Sequence, residues 1–252
     1  MGAGKMGSFF SDLLSFDHEV ALFDTNPRRM RFMFNAQRLL TLDEVREFAP
    51  EMVINATTVS HTLDAFEMVL PYLPSGCMLA DIASVKSTLQ EFYASKGHPF
   101  VSTHPMFGPT FANLDNLSHQ NAIIISEGSD LGKAFFRDLY RKLHLNVVEA
   151  TFAEHDRLMS YSLTVPFATT LGFAQVAGNE PAPGTTFARH QAIARGVLGE
   201  DDNLIVEILL NPHSPERLSA LIANLETLRD TIAASDREGL RNLISQARAQ
   251  LK

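Results

Sequence analysis

Apolar residues recur along this chain with two different spacings, and the change from one to the other falls near residue 150. Before that point, short apolar runs of strand length alternate with helical faces. Met6, Phe9, Phe10, Leu13 and Leu14 fall at i, i+3, i+4, i+7 and i+8, one face of a helix. A strand over Glu19–Phe23 follows, ending at Asp24, and Thr25 or Asn26 with Pro27 reads as the start of a further helix. Thr41-Leu42-Asp43-Glu44 has the capping-box arrangement that opens another. Met52–Ala56 reads as a buried strand, followed by a helix through Leu63, Phe66, Met68, Val69 and Leu70. Cys77–Ala80, Pro99–Ser102, Ala122–Ser126 and Asn146–Glu149 complete the strands, with a covering helix from Leu131 to Leu143 before the last. Strands and helices alternating at this spacing predict βαβ units and a parallel sheet.

Beyond Ala150 the strand pattern stops. Thr151-Phe152-Ala153-Glu154 is a second capping box, and the helix it opens is apolar over much of its circumference, as befits burial between domains or subunits. Pro166 falls inside it and predicts a kink near Ser162. The stretch GNEPAPG (178–184) reads as a loop, and helices are expected around Phe187–Leu198, Asn203–Leu210, Glu216–Ala233 and Asp236–Leu251. The expectation is an α/β Rossmann-type parallel sheet domain over 1–150 and an all-α helical domain over 151–252 that closes over substrate and dimerises.

Composition narrows the partners. With 252 residues and 45% hydrophobic content the chain can bury a sizeable core, and its formal charge of −8 argues against nucleic acid. A single cysteine, Cys77, excludes an internal disulfide and a cysteine-based metal site, and no metal is expected. No apolar run approaches bilayer-spanning length, and Gly2, Gly4 and Gly7 interrupt any leader-like segment, so no membrane association and a cytoplasmic location are expected.

Gly2-Ala3-Gly4-Lys5-Met6-Gly7 is G-x-G-x-x-G leading into an amphipathic helix. Its glycines let backbone approach a pyrophosphate at a helix N-terminus. Asp24, 17 positions after Gly7, stands where such folds place the acid that accepts from the adenosine ribose. A carboxylate there favours NAD over NADP, with Arg28 and Arg29 as the opposing signal. Gly2, Gly4, Met6, Gly7 and Asp24 are the candidate cofactor contacts. Thr57, at a strand's carboxyl end, either joins them or caps the following helix. The fingerprint should follow a strand and only Met1 precedes it, so the expectation is a truncated first strand, with a short apolar run upstream in the natural reading frame.

Two further runs each follow a predicted strand: Asp81-Ile82-Ala83-Ser84-Val85-Lys86, and Thr103-His104-Pro105-Met106-Phe107-Gly108-Pro109. Neighbouring parallel strands would bring Ser84 and His104 to one carboxyl edge, where open α/β sheets bind ligands. A hydroxyl and an imidazole there can share a hydrogen bond and take a proton from substrate. Ser84 could also cap a helix begun by Lys86 without losing that role, and Lys86 could be a solvated helix residue. His155-Asp156 reads as part of a helix's first turn, with Asp156 favourable to the dipole.

Taken together, GAGKMG, DIASVK, HPMFGP and Glu154-His155-Asp156 resemble the prephenate/arogenate dehydrogenase family over nearly the whole chain. The resemblance implies NAD(P)-dependent oxidative decarboxylation of prephenate to 4-hydroxyphenylpyruvate, in tyrosine biosynthesis, by a homodimer joined through its helical domains. It implies that His104 accepts the proton of the ring hydroxyl, that Ser84 orients that contact, and that Lys86 lies near the nicotinamide and binds substrate. An arginine of the helical domain would hold the substrate carboxylates: Arg189 by position, Arg195 as the alternative. Many relatives carry histidine where this chain has Phe167, which leaves prephenate against arogenate open. A related two-domain hydroxyacid or imine dehydrogenase, and a non-catalytic NAD-sensing regulator, remain as rivals.

Overall fold

The computed structural model describes residues 1–86, 88–107, 117, 120–178 and 182–251. Gly108 and Pro109 of the HPMFGP run, and residues 179–181 of the GNEPAPG loop, lie outside them. Five strands form the main sheet in the order β3 (Met52–Asn55), β4 (Met78–Asp81), β5 (Phe100–Pro105), β6 (Asn121–Ile125) and β7 (Asn146–Ala150). The pairs β3·β4, β4·β5 and β6·β7 are parallel, but β5 and β6 run antiparallel, with His104 opposite Ile123. The parallel sheet expected from the sequence is thus present as a parallel-rich one, with β5·β6 its antiparallel pair. A fully buried strand is apolar on both faces in either direction, so its composition does not encode polarity.

A second sheet holds only β1 (Ala21–Phe23) and β2 (Gln37–Leu39), parallel to each other. Strand β2 has no counterpart among the sequence expectations. Between the two sheets Met1 and Gly2 act as a single rung. Gly2 N donates to Phe23 O at 2.9 Å, Met1 N donates to Ile54 O at 2.8 Å, and Ala56 N donates to Met1 O at 2.8 Å. Behind that rung a cavity of about 650 Å³ continues between β1 and β3, lined by Leu22, Val53, Val45, Phe10 and Leu14.

Helices α1 (Lys5–Leu14) and α5 (Asp130–Lys142) cover one face of the main sheet, and their core includes Phe10, Ile124, Phe136 and Tyr140. On the other face, α3 (Thr62–Val69), α4 (Leu89–Lys96) and α6 (Phe152–Met159) bury Phe66, Phe92, Tyr93, Ile123 and Met159. Both capping boxes are formed in full, Thr41 with Glu44 opening α2 (Leu42–Phe48) and Thr151 with Glu154 opening α6. The helix expected from Pro27 is only a 3-10 turn, Pro27–Met30, capped by the Asn26 side chain.

Every described element after β7 is helical. The expected kink near Ser162 is a π-helical turn, Ser160–Thr164, joining α6 to α7 (Val165–Val176). Pro166 lacks the N–H that the Ser162 carbonyl would otherwise receive, which favours a break there. Thr164 Oγ1 donates to Ile208 O at 3.1 Å and meets Ser214 Oγ at 2.9 Å, tying the turn to α9 (Asp202–Leu209) and α10 (Ser214–Ala233). Helices α8 (Thr185–Val197) and α11 (Arg237–Gln250) complete the chain. Within the single chain none of the residues of α7 is fully buried, and α10 buries only Ser214. Ile222, Leu225, Leu228 and Ile232 form an exposed apolar stripe on α10. Among the described residues, no helix is long and apolar enough to cross a membrane.

Candidate active site

Because β3, β4 and β5 are parallel, their carboxyl ends share one edge, and the glycine loop abuts the β3 end of it. Gly2 has φ +88°, and a Cβ there would lie 2.9 Å from Ala56 O. A Cβ at Gly7 would fall 1.8 Å from Gly2 O, so this position must lack one for α1 to fold back on the loop. Gly4 differs: a Cβ there meets nothing within 4 Å. Gly4 is the N-cap of α1 and makes no side-chain cap, so the first-turn N–H groups of that helix lie beside exposed space. Met6 packs part of its side chain against the core.

Asp24 closes this loop from the end of β1. Its Oδ2 accepts from Ala3 N and its Oδ1 from Asn26 N, each at 2.7 Å, and Arg29 approaches Oδ2 at 3.8 Å. A carboxylate has about four acceptor sites, so two backbone partners leave capacity for ribose hydroxyls. Thr57 does not cap a helix. Its N–H and hydroxyl both donate to Asn55 Oδ1, at 3.1 and 2.7 Å, and Asn55 in turn donates to Thr62 O, fixing the β3 end against the glycine loop. The open Gly4 face, the exposed start of α1 and the Asp24 carboxylate fit a dinucleotide.

Ser84 and His104 do lie at the same edge, after β4 and near the end of β5. Ser84 is half-buried and does not cap α4, whose N-cap is Thr88. The two side chains share no hydrogen bond. Instead, His104 Nδ1 meets His155 Nε2 at 3.1 Å, the rings set edge to face at 62°. His155, fully buried on α6, meets Asp156 Oδ1 through its Nδ1 at 3.2 Å. The first-turn reading of His155-Asp156 is thus corrected: His155 stands in the turn after the capping box and aims at β5. Burial holds His104 well below the usual histidine range, with His155 and the Lys86 cation adding to the effect. Burial also lowers His155, opposed by its hydrogen bond to Asp156. Both imidazoles are therefore neutral near pH 7.

Lys86 is neither a solvated helix residue nor free to reach a substrate. Its ammonium is fully buried, paired with Asp81 Oδ1 and donating to Thr103 O at 2.8 Å. Asp81 also accepts from Tyr93 OH at 2.7 Å and Ala83 N at 3.1 Å. The DIASVK run thus builds an ion pair beneath the site, where these partners hold Lys86 inward. Burial pulls the lysine's pKa down, Asp81 opposing it, and pushes Tyr93 well above its ordinary value. Arg189 and Arg195 both lie exposed on α8, and neither is hydrogen-bonded to Ser84, His104 or His155.

The likenesses of the chain agree with this arrangement. A family model described as prephenate dehydrogenase, nucleotide-binding domain, matches residues 15–146. A probable arogenate/prephenate dehydrogenase of Methanocaldococcus jannaschii is 24% identical over 212 residues, covering 78% of this chain and 47% of that protein. The chain thus spans about half the length of that relative, or less. The fold is that of Aquifex aeolicus prephenate dehydrogenase, solved with hydroxyphenyl propionate and NAD+, at TM-score 0.81 and 18% identity, covering 99% of this chain and 94% of that one. Synechocystis arogenate dehydrogenase matches at TM-score 0.75 and 16% identity, over 99% of this chain and 94% of that one. With more than half of its length matched by the family model, the chain belongs to the prephenate dehydrogenase family and carries that family's nucleotide-binding domain.

Proposed function

We propose that this chain is an NAD-dependent dehydrogenase that converts prephenate to 4-hydroxyphenylpyruvate with loss of carbon dioxide. The observation that carries the reading is a buried imidazole, His104, on the sheet edge that also bears the glycine loop. The two units are 1–150 for the nucleotide and 151–252 for substrate closure. Gly2, Gly4 and Gly7 bring backbone to the pyrophosphate, the N–H of Met6 adds a donor, and Thr57 braces the loop. Asp24 accepts from the ribose and disfavours a 2′-phosphate there. When bound, NAD+ supplies the hydride acceptor. His104 removes the proton of the ring hydroxyl, and Ser84 orients that hydroxyl. Aromatisation of the ring then drives loss of the carboxylate, so the protein has only to orient the parts and take one proton.

Arg189 takes a substrate carboxylate through two parallel bonds, with Arg195 as the alternative. The Lys86 ammonium, held by Asp81 and the Thr103 carbonyl, stays beneath the site and does not touch substrate. The apolar stripe of α10 and the absence of fully buried residues on α7 support a homodimer through the helical unit, since a helix draws most of its stability from burying such a face. Sedimentation of the intact chain tests the dimer, and Leu225→Asp should shift it to monomer.

Arogenate as substrate is the second reading, supported by the likeness to a probable arogenate/prephenate dehydrogenase, and Phe167 leaves the choice between the two open. NADH formation measured with prephenate and then with arogenate decides between them. The His104→Asn variant should lose turnover and keep NAD binding. Turnover at the unaltered rate in that variant would remove His104 as the base, and no NADH from either substrate would leave the chain a nucleotide-binding protein without this chemistry.

A further inference from the structure

We infer that His155 is a positioning residue that fixes which nitrogen of His104 carries the proton. The inference rests on the proposed role of His104 as base. The argument is one of hydrogen-bond bookkeeping along three side chains. Ionised Asp156 can only accept, so the His155 nitrogen facing it, Nδ1 at 3.2 Å, carries the hydrogen. A neutral imidazole has a single N–H, so His155 Nε2 is left with a lone pair. That lone pair faces His104 Nδ1 at 3.1 Å, and the contact is a hydrogen bond only if His104 Nδ1 is the donor. Neutral His104 then has its lone pair on Nε2, the nitrogen remaining for a substrate hydroxyl. As the proton leaves the substrate oxygen, the O–H bond breaks and an N–H bond forms at Nε2, while Nδ1 goes on donating to His155.

Without His155 nothing among the described partners of His104 selects this tautomer. The groups facing the two rings are Asp156 on α6 and Lys86 and Asp81 beneath them, and Lys86 is occupied with Asp81 and the Thr103 carbonyl. The backbone of the acid is itself anchored: Asn211 Nδ2 donates to Asp156 O at 2.9 Å. The helical unit thereby reaches the imidazole of β5 through two residues, His155 and Asp156.

The test combines a spectroscopic readout with kinetics. Long-range proton–nitrogen correlation on the protein with 15N-labelled histidine reports the tautomer of His104 with no substrate or cofactor present. The expected result is hydrogen on Nδ1 in the unaltered protein and a mixture, or hydrogen on Nε2, in His155→Phe. In steady-state assays His155→Phe should lower kcat by about 10- to 100-fold, by analogy with removal of the outer hydrogen-bond partner of a metal-ligating histidine, with KM changed less than about 2-fold. The His155→Gln variant, whose side-chain oxygen can accept from Nδ1–H, should recover most of both signals. Hydrogen on Nε2 in the unaltered protein would overturn the inference even if prephenate is oxidised. Hydrogen on Nδ1 in a protein that oxidises neither substrate would leave the tautomer lock standing and the dehydrogenase reading refuted. Equal kcat in the Phe and Gln variants would also overturn it.

Discussion

Replacing Lys86 by methionine removes one partner of a fully buried ion pair and keeps nearly the same length of apolar stem. Asp81 and Lys86 both have no exposed side-chain surface, so solvent cannot take the place of the lost charge. The Asp81 carboxylate would retain Tyr93 OH and Ala83 N but no cation, and the Thr103 carbonyl would lose a donor. Stranding a buried charge in this way costs about 3–5 kcal/mol. At about 2–4 °C per kcal/mol for a chain of this size, the melting temperature should fall by roughly 6–20 °C. Urea unfolding followed by circular dichroism, extrapolated linearly, measures the change. The decisive comparison is Asp81→Asn with Lys86→Met, which removes both charges. It should be more stable than the sum of the two single losses predicts, with a coupling of at least about 1 kcal/mol. A single-variant loss below about 1 kcal/mol, or strict additivity, would refute the claim that DIASVK is an internal brace.

Three other predictions concern separate parts of the molecule. Since burial depresses His104 and His155, the unfolded chain takes up protons on them near pH 6.5 while the folded chain does not; their contribution to stability should be constant above that pH and decline below it, by up to about 1.4 kcal/mol per unit for each histidine, and a flat profile from pH 7 to 5 would contradict their burial as neutral rings. Gly7→Ala should lose at least about 1–3 kcal/mol because its Cβ meets Gly2 O, whereas Gly4→Ala should unfold normally and weaken NAD binding by roughly 10-fold, as read by calorimetry. Finally, fusing a short apolar strand ahead of Met1 should fill the cavity between β1 and β3 and raise stability by about 2 kcal/mol or more, the yield of burying one large apolar side chain; an unchanged unfolding midpoint would mean that the cavity does not accept a strand.

Local chemistry was legible where it is written in consecutive residues. Thr41 and Glu44, and Thr151 and Glu154, stand three apart, and each pair closes its capping box. The strands before Ser84 and His104 were readable because apolar runs of strand length end in polar clusters. What could not be read depends on chain segments distant in sequence. His155 lies 51 positions from His104, and only the fold brings them together. The signal was present, a histidine followed by an acid in the helix after the last strand, but a helical first turn explains that pair equally well. Lys86 was misread because lysines are rarely fully buried. Its clue was Asp81 five residues earlier, a carboxylate at a strand end that needs a cation once helices cover it. The reversal between β5 and β6 left no mark at all, since Ala122–Ile125 is buried whichever way it runs.

The wide turn at Ser160–Thr164 has a consequence for how this molecule tolerates change. Each residue inserted into or removed from an α-helix rotates everything beyond it by about 100°. The extra residue accommodated here therefore sets the azimuth of α7 relative to α6, independently of the side chains on either. Upstream, His155 points at the sheet; downstream, Thr164 is latched to Ile208 and Ser214. Excising one residue from that turn would leave Ser84, His104 and the glycine loop in place and swing the later helices, Arg189 and Arg195 with them, out of phase with the cleft. Reaction chemistry and helical assembly are thus geared to each other through a single irregular coil of backbone.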